Sequence, residues 1–402
     1  MAADAQQWAP SGVNVTYCLS EQVTGSCGLR LNLTIIAVVA TCNLGKVIAM
    51  LYVAFLIHDE PLITVDDAIE SFFVNPENST KGRCLTTKQK EVIKQSSGQF
   101  RTPIDVSAEV WECTRRHWFS AASKLRWSTC VSLFAVAFIV IAKLLDWAIG
   151  TLPDSKSVKM LWSYGFGTVH PQALISGWSI SYLGSAEEQI MASTLIANLP
   201  QALLSLIYLT LNGLCTSMFL AEEWNRFGLH RKALRVSTPK LGQRKTYFLQ
   251  LPYRIALALM AMSGLLHWLV FQSIFLAVIA EYDIDGTLLN PVAIATCGFS
   301  PFAMICVLIA GGALVLSVMG LGCRCFDGSM PLVGSCSTAI SAAFHVPHWD
   351  IDASTQAVQW DSVAGIVSPH GVGHRCFSSG FVSEPVTGQE YAGVNQRASE
   401  FY

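Results

Sequence analysis

LPYRIALALMAMSGLLHWLVFQSIFLAVIA, residues 251–280, carries no formally charged side chain from Ile255 onwards. The uncharged run 255–280 is longer than the ~20 apolar residues that a helix needs to cross the hydrocarbon of a bilayer. The loop before it is rich in lysine and arginine, whereas residues 281–300 contain neither. Because basic loops stay in the cytoplasm, the run is predicted to be a membrane span that starts on the cytoplasmic side.

The composition of the whole chain fits a membrane protein. Apolar residues make up 52% and charged residues 13%, where a soluble domain carries about 25% charge. The net charge of -2 gives no basic excess that would indicate a nucleic-acid partner. Thirteen cysteines without a repeated CxxC pair argue against a zinc ribbon and against a dense disulfide scaffold. The lipid bilayer is therefore the predicted environment.

Apolar runs of similar length divide the chain. The predicted spans are residues 31–57, 127–149, 190–220, 255–280 and 301–323. They are flanked by an N-tail (1–30), two long polar loops (58–126 and 221–254) and a mostly irregular tail (324–402). Residues 160–184 contain Gly, His and Pro, so they are predicted to lie on the membrane or to dip into it rather than to cross it. The predicted fold is an all-α membrane protein with about five transmembrane helices.

The distribution of basic residues orients these spans. The loops 58–126 and 221–254 and the tail 324–402 hold 10, 8 and 3 Lys and Arg. The N-tail 1–30 and the segments 150–189 and 281–300, on the other side, hold 1, 2 and 0. The positive-inside rule then places the N-terminus outside or in a lumen, and the C-terminus in the cytoplasm. The predicted location is the plasma membrane or an endomembrane.

Polar side chains inside the spans are the candidate functional residues. Lys46 lies near the middle of the first span, with Asn43 one helical turn away, and a charge at that depth is costly. His267 and Gln272 lie in the fourth span, and Asn198 lies two residues before a proline in the third. These residues fit a substrate, ion or proton site, or a set of structural hydrogen bonds between helices.

Several other residues are candidates for covalent modification or metal binding. Asn14 is the sequon predicted to be glycosylated. Cys18 and Cys27 are predicted to pair with each other, or one of them with Cys297. Two cysteines at the end of the fifth span are candidates for palmitoylation, Cys323 and Cys325. The tail also holds Cys336, His345, His348, His370, His374 and Cys376. Because Gly and Pro break that segment, no metal site is predicted, and no cofactor.

A set of distinctive strings runs through the chain from roughly residue 30 to residue 395. It includes Ile196-Ala197-Asn198-Leu199-Pro200, Tyr247-Phe248-Leu249-Gln250-Leu251-Pro252-Tyr253-Arg254, Ser263-Gly264-Leu265-Leu266-His267-Trp268 and Met330-Pro331-Leu332-Val333-Gly334-Ser335. Together these strings resemble a family of fungal multi-pass membrane proteins that is known only as a domain of unknown function. The resemblance implies a fungal integral membrane protein and implies no catalytic residues.

Three functions remain as hypotheses. The first is a non-enzymatic scaffold, sensor or accessory component that binds cytoplasmic proteins, because most of the polar chain is predicted on that side. The second is a transporter or channel that uses the polar residues within the spans. The third is a membrane-embedded enzyme, such as a cyclase or tailoring enzyme for a lipophilic metabolite, with His267 or an acid as proton donor. The candidate acids are Glu187, Glu188, Glu222 and Glu223.

Overall fold

A computed structural model gives the fold of the chain. It describes residues 33–58, 62–81, 83–90, 108–152, 157–175, 186–247, 250–279, 294–347, 349–350, 352–367 and 372–392. The chain divides into two compact units, Met1–Pro61 and Leu62–Tyr402, and each unit is described by itself.

In chain order, the helices are α1 (Leu33–Leu56), α2 (Val65–Val74), α3 (Lys124–Thr151), α4 (Val158–Ser163), α5 (Ala186–Asn225), α6 (Tyr253–Ser273), α7 (Pro301–Cys323) and α8 (Ser337–Ser341). The strands are β1 (Glu109–Val110), β2 (Lys232–Ala233), β3 (Arg235–Val236), β4 (Arg244–Lys245), β5 (Ile274–Ile279), β6 (Ile294–Phe299), β7 (Ala357–Val367), β8 (Gly373–Ser378), β9 (Val382–Ser383) and β10 (Glu390–Tyr391). Short 3-10 turns lie at Asn78–Thr80, Trp118–Ala121, Pro171–Ala173, Arg226–Gly228 and Ala353–Thr355.

Five helices among the described residues are long and apolar enough to cross a membrane: α1, α3, α5, α6 and α7. Their number confirms the sequence prediction, and α7 begins and ends at the predicted residues. Helix α1 forms the first unit and buries none of its side chains. The other four helices form a bundle in the second unit, where Leu214 and Met218 of α5 pack with Leu259 of α6 and Val318 of α7.

Helix α5 is longer than its predicted span. Its 40 residues correspond to a length of ~60 Å, about twice the ~30 Å of hydrocarbon in a bilayer. Pro200 lies inside this helix without ending it. The surplus is at both ends, and at the C-terminal end Trp224 is buried in a core that is separate from the core of the bundle. Helix α5 therefore joins the bundle to a second folded region.

The second region is a domain built from three separated parts of the chain. Its six-stranded sheet has the order β1-β10-β8-β7-β2, and β9 pairs with β7. The hairpin β7–β8 is antiparallel and brings Trp360 opposite Phe377, while β10 runs parallel to β8. Its core combines Ile69 of α2 with Trp224, Trp360 and Phe377. We call the described parts of residues 62–117, 222–247 and 326–392 the sheet domain.

The sheet domain corrects two sequence predictions. The fold is not all-α, because strands form outside the membrane helices. Residues 324–402 were predicted to be mostly irregular, but β7, β8, β9 and β10 all lie there. The prediction failed because these strands pair with β1 and β2 from the two earlier loops, and such long-range pairing leaves little local pattern in the sequence.

The opposite end of the bundle differs from prediction in the fourth span. Helix α6 ends at Ser273, and residues 274–279, predicted to continue it, form β5, which pairs antiparallel with β6. Both conformations tolerate a short apolar run, so hydropathy alone did not separate them. Residues 158–175, partly predicted to lie on or dip into the membrane, pack on this hairpin through a bridge between Leu174 and Gly298. We call this the hairpin end of the bundle.

Candidate functional site

The polar residues predicted within the spans of the second unit do not form one group in the described structure. Asn43 and Lys46 are exposed on α1, which belongs to the first unit. Asn198 is exposed on α5, and its side-chain amide donates to the carbonyl of Thr194 in the same helix. That local bond satisfies a polar group on an apolar helix.

His267 is the predicted residue that has a partner on another helix. Its Nδ1 lies 2.5 Å from Oε1 of Gln201, and Nε2 of Gln201 donates to the backbone carbonyl of His267 at 2.9 Å. An amide oxygen can only accept, so Nδ1 carries the proton in this arrangement. Sequence analysis missed Gln201, although a polar residue directly after Pro200 in an apolar span was a visible signal. The pair joins α5 to α6 within the bundle.

Gln272 lies near the hairpin end and contacts a different element. A Cβ atom at Gly167 would lie 1.6 Å from Oε1 of Gln272, and Gly167 has a φ of +71°. Only glycine fits this close approach in a left-handed conformation. The loop 165–170 therefore covers Gln272, while His267 contacts α5. The two residues make separate structural contacts.

The sheet domain contains a buried cation between aromatic rings. The guanidinium of Arg375, on β8, lies 3.9 Å from the ring centre of Trp111 and 3.8 Å from that of Trp360. Its Nη2 donates to Oδ1 of Asp361 at 3.2 Å. Nε and Nη1 of Arg375 have no hydrogen-bond partner among the described residues. The stacked rings and one carboxylate thus hold a charge that is only 2% exposed.

Burial shifts the acid–base properties of this pair. It raises the pKa of Asp361 to about 6, although the neighbouring Arg375 opposes the shift. It also lowers the pKa of Arg375 to about 10, and Asp361 opposes that change. Both groups remain charged near pH 7. The arrangement is a buried ion pair between β7 and β8, and neither group is exposed to act on a substrate.

A second polar network ties the first loop to the tail. The hydroxyl of Thr80 lies 2.9 Å from the Ser341 hydroxyl and 2.8 Å from Nε2 of His345. His374 lies between two backbone carbonyls, Ala392 at 3.0 Å from Nδ1 and His345 at 2.9 Å from Nε2. Burial lowers the pKa of His345 to about 4 and also lowers the pKa of His374. His345 therefore serves as a neutral hydrogen-bonding group in the core, whereas a neutral His374 can donate to only one of its two carbonyls.

Acidic residues gather where α2 meets the end of α5. Oδ2 of Asp67 accepts from the backbone N–H groups of Ile63 and Thr64, and Oδ1 accepts from Ser237 N–H at 2.7 Å. These bonds lower the pKa of Asp67 against the effect of burial. Asp66 accepts from the Arg235 N–H at 2.8 Å, and its burial and the nearby Glu223 raise its pKa to about 8. The two acids thus anchor β3 to α2.

The acids proposed as proton donors are dispersed or paired. Glu222 forms an ion pair with Arg226 at 2.7 Å, and Glu223 forms one with Arg235 at 3.4 Å. Glu187 and Glu188 lie at the other end of α5, 34 or more residues away, which corresponds to ~50 Å along a helix. Such a separation excludes one active site that uses acids from both ends. The four acids therefore do not converge on one site.

The structure describes some of the predicted modification sites and not others. Asn14, Cys18 and Cys27 lie outside the described residues, whereas Cys297 is a free, buried thiol. Cys323 and Cys325 are exposed at the end of α7, as palmitoylation requires.

The exposed thiol of Cys325 has a histidine neighbour. Its Sγ lies 3.4 Å from Nδ1 of His117. The same nitrogen lies 2.9 Å from the carbonyl oxygen of Cys323. Because a carbonyl only accepts, Nδ1 of His117 carries a proton and cannot act as a base toward Cys325.

Comparison with known proteins identifies one family. A family described as "Domain of unknown function (DUF8419)" matches residues 99–379, which is more than half of the chain. No curated protein and no solved structure matches the chain. Among the described residues, no group of three or more His, Cys, Asp and Glu side chains could hold a metal ion.

Proposed function

Because the chain belongs to this family of unknown function, we propose its role from its own architecture: a multi-pass membrane protein that acts as a non-enzymatic scaffold, sensor or accessory component. The N-terminus is outside or lumenal, and the sheet domain is cytoplasmic, where it binds other proteins. The basic loops support this orientation, since both contribute to the same sheet domain. Arg375, Asp361 and His374 are buried in the core of this domain, which supports binding over catalysis.

One surface of the sheet domain carries the proposal. The turn after β8 is held from both sides. Asp350 accepts from the Ser378 hydroxyl at 2.7 Å and from the Ser379 N–H at 2.8 Å, and Arg231 donates to the carbonyls of Ser379 and Gly380. A fixed turn loses little conformational entropy when a partner binds it.

This fixed turn presents apolar side chains to solvent. Phe381 directly follows it and is 78% exposed, and Trp349 beside it is 49% exposed. A Cβ atom added at Gly380 would lie only 2.7 Å from the Trp349 ring, so this ring packs directly on the turn. Exposed aromatic side chains on a rigid support are typical anchors of protein–protein interfaces. We call Trp349, Phe381 and the turn between them the aromatic turn.

Site-specific photo-crosslinking tests this proposal. A photo-reactive amino acid at Phe381 is expected to give a discrete crosslinked protein in cells, and Trp349→Ala is expected to weaken that product. The matched control is the same amino acid at Ile139 of α3, which is 62% exposed on a membrane helix and should crosslink to lipid only. Equal results at the two positions would contradict a role in protein binding.

The transporter alternative rests on the polar residues predicted within the spans, of which His267 contacts a polar side chain of another helix, Gln201. In the described structure, Nδ1 of His267 bonds to Oε1 of Gln201, and Nε2 of Gln201 donates to the backbone carbonyl of His267, so these bonds link α5 to α6. A transport role predicts that His267→Leu abolishes flux of a substrate in reconstituted vesicles. The scaffold proposal predicts that the same change leaves the aromatic-turn crosslink intact.

A further inference from the structure

Three cations lie close in the chain to the start of α6. Arg244 and Lys245 form β4, and Arg254 lies in the first turn of α6. All three side chains are exposed. None of them makes a side-chain hydrogen bond or an ion pair within the part of the chain that the structure describes. They therefore present unneutralised positive charge to their surroundings.

The neighbouring acids are already neutralised by other groups. Glu223 pairs with Arg235 at 3.4 Å, and Glu70 pairs with Lys240 at 3.3 Å. Asp66 and Asp67 are buried and accept backbone N–H groups of this same segment. These four neighbouring carboxylates are engaged by other groups, so an external anion is the chemistry that the three cations fit.

Two tyrosines indicate the depth of these cations in the bilayer. The rings of Tyr247 and Tyr253 meet edge to face with their centres 5.3 Å apart. Tyr253 is the first residue of α6, so the end of β4 lies beside the start of a membrane span. Tyrosine at the end of a span sits at the depth of the lipid headgroups. The cations then lie at the depth of the lipid phosphates.

We propose that Arg244, Lys245 and Arg254 bind the phosphate of an anionic phospholipid in the leaflet on the sheet-domain side. Arginine offers two parallel N–H donors to a phosphate, and lysine adds a point charge. This proposal rests on the proposed orientation of the protein, because the cytoplasmic leaflet is the anionic one. It deepens the proposed function, because lipid bound here would touch both the bundle and β4 of the sheet domain.

Lipid titration of the purified full chain in neutral detergent tests the site. The probe is dioctanoyl phosphatidylinositol 4-phosphate, with dioctanoyl phosphatidylcholine as the zwitterionic comparison of zero net charge, and binding is measured by native mass spectrometry. The triple change Arg244→Gln, Lys245→Gln, Arg254→Gln is expected to weaken phosphoinositide binding ~100-fold, since each basic residue near a surface contributes ~5-fold. Phosphatidylcholine binding should stay unchanged.

Two matched variants control the result. Arg244→Lys with Lys245→Arg keeps the charge and should bind within a few-fold of the wild type. Lys159→Gln removes an exposed charge on α4, at the hairpin end, and should have no effect. All the changed side chains are exposed, so near-UV circular dichroism should confirm that the variants keep the fold.

Three outcomes would overturn the lipid site. The first is equal phosphoinositide binding by the wild type and the triple variant. The second is a loss of binding in Lys159→Gln as large as that in the triple variant. The third is binding of soluble inositol phosphate as tight as that of the phosphoinositide, which would indicate a site for a free phosphate. Because the assay uses detergent and no partner protein, its failure leaves the aromatic-turn crosslink as an independent test of the proposed function.

Discussion

Leu214 in the bundle and Phe377 in the sheet domain are almost equally inaccessible to solvent, at 1% and 0% exposure, but their surroundings differ. Leu214 lies among apolar side chains of neighbouring helices. Phe377 stacks on Phe344 with ring centres 4.4 Å apart and belongs to the same β-strand as the buried Arg375. The bundle core is almost purely apolar, whereas the sheet-domain core also holds charges and histidines.

The outer surfaces differ in the opposite way. The bundle exposes large apolar side chains, such as Ile309 at 67% and Leu316 at 74%, which lipid would cover. Within the bundle, the polar links between helices are few, and one example is Arg126, which bonds to Gly213 and Ser217 of α5. The bundle thus presents an apolar surface suited to lipid, while the sheet domain holds hydrogen-bonded and charged groups inside its core.

The largest effect is expected when the buried Arg375 loses its counter-ion, Asp361. Asp361→Leu should destabilise the sheet domain by about 3–5 kcal/mol, because Arg375 would keep its charge in the core without a counter-ion. Hydrogen exchange at β7 and β8 in the reconstituted chain measures the loss. The double change Asp361→Leu with Arg375→Met should recover most of it, and a double variant as unstable as the single one would show that the charge is not the cause.

A change of pH should act on the sheet domain through Asp66. Its folded pKa of about 8 lies above the unfolded value of 3.8, so the unfolded chain releases this proton first as pH rises. The contribution of Asp66 to stability is therefore largest below pH 3.8 and is lost between pH 4 and pH 8. Asp66→Asn should flatten the decline in sheet-domain protection between pH 5 and pH 8. An unchanged decline would assign it to other groups.

Thr80 should have a moderate effect on the same domain. Thr80→Val keeps the shape but leaves Ser341 and His345 without their shared hydroxyl, which costs about 1–3 kcal/mol in a buried site. Hydrogen exchange in α8 is the measurement, and Thr129→Val is the control, since that hydroxyl bonds to its own exposed helix. Comparable losses in the two variants would argue against the network.

The smallest effect is expected within the bundle. Gln201→Leu removes both bonds to His267, and hydrogen bonds between membrane helices contribute about 0.6 kcal/mol on average and at most about 1.7 kcal/mol. Thermal unfolding of the bundle in nanodiscs should shift slightly, and the sheet domain should not change. A loss as large as that of Asp361→Leu would show that the bundle also depends on its polar groups.

The same contrast explains what could be predicted from the sequence. Each membrane helix is one continuous apolar run, so composition and length identified all five. The sheet domain has no such run, since β1 and β2 contain two residues each and pair with strands far along the chain. Weak alternation at Val358, Gln359 and Trp360 hints at β7, but it could not identify the partners of that strand.

The candidate sites also differ in this way: those in the membrane helices could be predicted from the sequence, and those in the sheet domain could not. His267 was found because a polar residue stands out in an apolar span, and Gln201 could have been found by the same criterion. Arg375 and Asp361 gave no signal, because charged residues in a polar segment are ordinary until the hairpin β7–β8 buries them. The aromatic turn was equally hidden, since exposure is decided by tertiary packing and not by residue type.

The central claim is that the two basic loops and the tail form one folded domain on the cytoplasmic side. Epitope tags inserted at Leu241 and at Phe381, which are 93% and 78% exposed, test it against a tag at Val169 at the hairpin end, which is 58% exposed. Antibody should reach the Val169 tag on intact cells, or on sealed vesicles whose extracytoplasmic face is outward, and the other two tags only after permeabilisation. Leu241 and Phe381 on opposite sides, or both accessible without permeabilisation, would contradict the account.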